Sequence, residues 1–329
     1  MRWKGRRQSG NIRDLRGSSS GRSGTKGGAR SRLPGSLRQS RGQSRGGNRI
    51  RLPRPRAGTG GRRAGGGLGI GGLIIIGLIM LAFGMNPLSL LGLGSQTGSG
   101  NFTAPTTQNA PVTANAEQAE FVAVVLAETE DVWNGIFQAS GANYVEPELV
   151  LFSGSVESAC GFASSASGPF YCPGDSRIYL DMSFFDELAN RFGASGDFAQ
   201  AYVIAHEVGH HIQNLTGQLL DFNTRRSSMS QIEQNRFTVR LELQADCYAG
   251  VWGYFTAQRG LLERGDLQEA LNAATQIGDD TIQRRTQGYV VPESFNHGTS
   301  EQRRSWFDQG FSTGRVEQCD TFSQAYENL

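Results

Sequence analysis

Apolar and polar positions alternate differently in four stretches of the chain. From residue 117 onward the pattern is that of a folded domain. Phe121, Val124, Val125, Val132, Trp133 and Phe137 recur at helical spacing and predict a helix over about 117–139 with one buried face. Residues 149–152 and 177–181 are short runs rich in β-formers and predict strands. A short helix is expected over 183–191, longer ones over 197–215 and 230–257, and two more near 266–277 and 300–310. The expected fold class is α+β, mostly helical with a small sheet.

Upstream the pattern is lost. Residues 68–83 are apolar and uncharged, and the uncharged run continues to 93. A membrane-spanning helix needs about 20 apolar residues, so 67–94 is expected to be one transmembrane helix. It starts too far along the chain for a cleaved signal peptide. Residues 1–66 hold nineteen Lys or Arg against one acid, Asp14, and the remainder holds thirteen against twenty-nine, so the net +2 conceals two oppositely charged parts. With so few apolar residues, 1–66 is expected to be a disordered basic leader at an anionic lipid surface. A nucleic-acid-binding tail is the weaker reading of the same charge. Arg51, Arg54, Arg56, Arg62 and Arg63 precede the apolar run and no Lys or Arg follows until Arg177. By the positive-inside rule the N-terminus is expected in the cytoplasm, the chain in the bacterial cytoplasmic membrane as a single-pass protein, and the main domain outside, in the periplasm. Residues 95–116 read as a flexible linker, and 117–329 as one domain.

Candidate chemistry concentrates in that domain. His206-Glu207-Val208-Gly209-His210 lies in a predicted helix, where residues four apart share a face, so two imidazoles can hold one Zn²⁺. Glu207 is placed to take a proton from a metal-bound water. A third His six residues on is excluded, because Gln213 and Thr216 stand there. Glu242, on the next long helix, is the expected third ligand. Asp246, four residues later, is expected to accept from the second nitrogen of a ligand His, His206 for preference. His297, the one His outside this cluster, is a candidate oxyanion donor, with Tyr179, Tyr202 and Tyr248 as others. His211 is expected to pack. Residues 177–181 are the candidate edge strand for substrate backbone. All four cysteines fall in this domain. Of three connectivities, Cys160–Cys172 with Cys247–Cys319 is favoured because the first pair flanks a Gly/Ser-rich loop; free thiols stay open.

The run from Gly168 through Cys172, the segment 177–181, Ala205 to Gln213, Glu242 to Cys247 and His297-Gly-Thr-Ser300 resembles the bacterial family called putative neutral zinc metallopeptidases. The resemblance implies a membrane-anchored, zincin-like peptidase of gluzincin type acting on peptides or proteins. It implies ligands at His206, His210 and Glu242 and the base at Glu207. A catalytically silent zinc-containing scaffold of the envelope is the alternative, disfavoured by the intact Glu207.

Overall fold

The computed structural model describes residues 1–17 and 112–329. Strand β1 (Ile12–Asp14) is followed by α1 (Val112–Ala139), then by β2 (Glu148–Phe152), β3 (Ser155–Ser158), β4 (Gly161–Ser164), β5 (Phe170–Cys172) and β6 (Arg177–Asp181). Seven helices complete the domain: α2 (Ser183–Asn190), α3 (Asp197–Thr216), α4 (Gln218–Arg225), α5 (Gln231–Gln258), α6 (Asp266–Gln276), α7 (Asp279–Gln287) and α8 (Ser300–Thr313). The mostly helical α+β expectation holds.

The main sheet has the order β1-β2-β6-β5. The first three strands run parallel and β5 runs antiparallel to β6. β2 reads Leu-Val-Leu-Phe because both of its faces are covered. Leu149 and Leu151 enter the helical core, whereas Val150 and Phe152 meet Val156, Ala163 and Tyr179 on the other side. β3 and β4 form a separate antiparallel pair.

α3 is apolar around most of its circumference and runs through the centre of the core, with Phe198, Tyr202, Ile204, Val208 and Ile212 all buried. α5 starts with a capping box in which Ser230 and Glu233 bond reciprocally, and α8 starts with another between Thr299 and Gln302. Glycines set how closely these helices meet. A Cβ on Gly209 would lie 2.9 Å from the backbone of Ala245, so α3 and α5 touch there. A Cβ on Gly310 would collide with the carbonyl oxygen of Cys247, and one on Gly250 with that of Phe307, so α5 and α8 are also in backbone contact.

Three expectations change. First, residues 1–17 of the leader are a built part of the domain. Ile12 pairs with Leu149, Leu15 N–H donates to the Leu151 carbonyl at 2.8 Å, and Arg6 and Arg7 reach Glu128 and Glu130 on α1. Carboxylates on α1 and an open strand edge supply partners that composition does not reveal. Second, 177–181 is no edge: β6 lies between β2 and β5, and the terminal strand on that side is β5. Third, α4, α7 and β3 to β5 were not anticipated. The remainder of the leader, the expected transmembrane helix at 67–94 and most of the linker lie outside the described residues. Among the described residues no helix is long and apolar enough to cross a membrane. Both favoured disulfides are present, Cys160–Cys172 and Cys247–Cys319, and no free cysteine remains.

Candidate active site

One turn of α3 carries His206, Glu207 and His210, and α5 carries Glu242 and Asp246 opposite it. The Gly209 contact with Ala245 is what brings the second helix within reach. His206 Nε2 lies 3.2 Å from Glu242 Oε2, and His210 Nε2 lies 3.4 Å from Glu242 Oε1. One donor atom from each of the three residues falls within 4.8 Å of the others.

The remaining ring nitrogens point away and are engaged. His206 Nδ1–H donates to Asp246 Oδ1 at 2.8 Å, since the carboxylate can only accept. His210 Nδ1–H donates to Gln213 Oε1 at 2.9 Å, and the Gln213 amide is itself oriented by donating to Leu241 O at 2.6 Å and to Gln244 Oε1 at 3.1 Å. Both Nε2 lone pairs therefore converge with a carboxylate on one point. Such an arrangement of acceptors is repulsive without a cation, and two imidazoles with one carboxylate suit zinc with a position left open. Without a metal a proton supplies that positive charge: against the burial that lowers it, Asp246 and Glu242 hold His206 up at about 10. Against the burial that raises it, the imidazoles of His210, His297 and His206 draw Glu242 far below the usual carboxylate range.

Asp246 is fully buried and satisfied by three residues. Besides His206 it accepts from Tyr202 Oη at 2.5 Å and from Arg303 Nε at 2.8 Å and a terminal nitrogen at 3.0 Å. Burial raises its pKa, but Arg303 and His206 outweigh that and bring it down to about 2. Asp246 is thus anionic and aims His206. Arg303, itself 3% exposed on α8, was missed in the sequence. A lone Arg in a polar helix reads as solvated, and only the fold shows the buried carboxylate beneath it.

Glu207 is 7% exposed and lies outside the three converging donors. Burial pushes its carboxyl pKa up, opposed by His210 and His206. His297 lies on the loop before α8, close enough to Glu242 for their charges to interact. Asp279, also unanticipated, holds that loop. Its Oδ2 accepts from the backbone N–H of Asn296, His297 and Gly298 at 2.7, 2.6 and 3.2 Å, and its Oδ1 accepts from His297 Nδ1 at 3.0 Å.

Three tyrosines considered as oxyanion donors are committed elsewhere. Tyr202 donates to Asp246, Tyr179 donates to Asp175 at 2.7 Å, and Tyr248 packs edge-on against Trp133. His211 packs as expected: Nε2–H donates to Val145 O at 2.6 Å and Nδ1 accepts from Tyr171 Oη at 3.0 Å.

The family model described as "Putative neutral zinc metallopeptidase" matches residues 38–322. An uncharacterized protein of Escherichia coli, YpfJ, is 44% identical over 326 residues, 99% of this chain and 100% of that protein. An uncharacterized protein of Mycobacterium bovis is 42% identical over 221 residues, 64% of this chain and 74% of its own length. No solved structure matches. With most of its length matched by the model, and a full-length relative well above chance identity, the chain belongs to the family of putative neutral zinc metallopeptidases.

Proposed function

We propose that the chain hydrolyses peptide bonds in peptides or proteins, with His206, His210 and Glu242 as zinc ligands and Glu207 as general base. The observation that carries this reading is the convergence of two lone-pair nitrogens and one carboxylate, with a second carboxylate buried beside them and left out of the trio. When bound, zinc would polarise the scissile carbonyl and acidify a water.

Glu207 takes the proton of the attacking water and hands it to the leaving amine. Asp246, clamped by Arg303 and Tyr202, holds His206 in the Nδ1–H tautomer, so that Nε2 stays a lone-pair donor. His297 also donates Nδ1–H to Asp279, but against the burial that lowers it Asp279 and Glu242 raise its pKa, and in the protonated ring Nε2–H is left to donate to the oxygen on which charge develops. β5 supplies the open sheet edge nearest α3, tied to it by the Tyr171–His211 bond, and is the strand to which extended substrate adds. The two disulfides support an oxidising, extracytoplasmic location for the domain.

The test is cleavage of an unfolded protein by zinc-loaded full-length chain, run beside Glu207→Gln. The variant should retain zinc and lose about 10³-fold or more of the rate. A zinc-loaded parent without turnover would sink the peptidase reading and favour the silent scaffold.

A further inference from the structure

Residues 1–17 and the peptidase domain were expected on opposite sides of a membrane, yet they share one sheet and one core. The first segment crosses the domain in three kinds of contact. At the start, Arg2 N–H donates to Leu261 O at 2.8 Å, and Trp3 stacks edge-on against Phe121 of α1 at 5.4 Å. In the middle, Ser9 N–H donates to Ala123 O at 2.9 Å and an Arg7 guanidinium nitrogen donates to Ala127 O at 2.7 Å. At the end, Asn11 O accepts from Leu149 N–H at 2.8 Å and β1 continues beside β2 for three residues.

Charge makes the fit specific. Glu128 and Glu130 on α1 are each 2% exposed. Buried carboxylates of that kind are strongly destabilising when they lose their partners. Glu128 is held by Arg6 Nε at 2.6 Å and Arg259 at 2.7 Å. Glu130 is held by Arg7 at 2.9 Å, Ser9 Oγ at 2.5 Å and Asn11 Nδ2 at 2.9 Å, all from the first segment. Without that segment, the edge of β2, with its Leu-Val-Leu-Phe sequence, would also stand open to other chains.

We propose that residues 1–17 are an integral strand and charge latch of the peptidase domain, and therefore lie on the same side of any membrane as that domain. The inference does not depend on the peptidase reading, since it uses only packing. It replaces the expected arrangement of a cytoplasmic N-terminus and a periplasmic domain, and with it the single membrane crossing expected between them.

The chain contains two lysines, Lys4 and Lys26, both upstream of the apolar run, and Lys4 is exposed beside Glu117. This allows a test of sidedness on the full chain. Spheroplasts of bacteria producing it with an epitope after Leu329 are treated with a membrane-impermeant amine reagent, and in parallel with an added protease that removes the epitope. Labelling of Lys4 together with loss of the epitope, or protection of both, is expected; accessibility of one without the other would overturn the proposal. A second readout is amide exchange at Leu149 in the purified full chain, where Arg6→Glu with Arg7→Glu, or the milder Arg7→Gln, should speed exchange about tenfold. Unchanged exchange in both variants would refute the latch.

Discussion

At the scale of single residues, the site is defined by which atom each group turns inward. His206 and His210 are legible in the sequence as a pair, but their tautomers are set by Asp246 and Gln213. Arg303→Met should therefore leave Glu207 in place yet weaken zinc binding about 10- to 100-fold, because the freed Asp246 no longer aims His206. A chelator competition would measure it, and unchanged affinity would show that Asp246 holds His206 unaided. His211 gives a pH dependence of opposite origin. Burial pushes its pKa below 6.5, although its bond to Val145 raises it. The unfolded chain then binds the proton first, so this stability is present above 6.5 and is lost as pH falls toward the folded value. In metal-free protein, urea midpoints should fall more steeply below pH 6.5 for the parent than for His211→Asn.

At the scale of elements, the long helices were readable and the short polar ones were not. α3 announces itself by its apolar content and α5 by the Ser230–Glu233 capping box at its start. α7, Asp-Asp-Thr-Ile-Gln-Arg-Arg-Thr-Gln, presents almost no apolar face and is held through Asp279 and Asp280, which bind the loop and the start of α8. β5 has three residues, too few for a period to show. Helix spacing depends on absent side chains. Gly310→Ala would force α8 off α5 at Cys247, and should cost about 1–3 kcal/mol or more in a urea titration. Because Arg303 rides on α8 and Asp246 on α5, the same change should also weaken zinc binding.

At the scale of the molecule, two long-range ties hold the site's frame. Cys247, next to Asp246, is joined to Cys319 across 72 residues. Loop-closure entropy puts such a bridge at about 4 kcal/mol and a 12-residue one at about 3 kcal/mol, so Cys247→Ala with Cys319→Ala should lower the melting temperature more than opening the 12-residue Cys160–Cys172 bridge. Equal losses would show that strain or packing outweighs chain entropy. The other tie is the N-terminal segment. A fragment beginning at 117 would expose β2 and strip Glu130 of its partners, and light scattering should show it self-associating where the full chain does not.

The sequence alone determined what depends on local order: the helical positions of His206, Glu207 and His210, the second helix bearing Glu242 and Asp246, and the α+β class. Spacing of three or four residues along a helix is a geometric statement, so a linear pattern suffices for it. Tertiary structure alone decided which distant groups meet. Arg303 beneath Asp246, Asp279 behind His297, and residues 1–17 against α1 and β2 join positions 57, 18 and over 120 residues apart, and β5 is the end strand only because β2 takes the other side of β6. A buried charge has no signature of its own in the chain, because what distinguishes it from a solvated one is the opposite charge that folding brings to it.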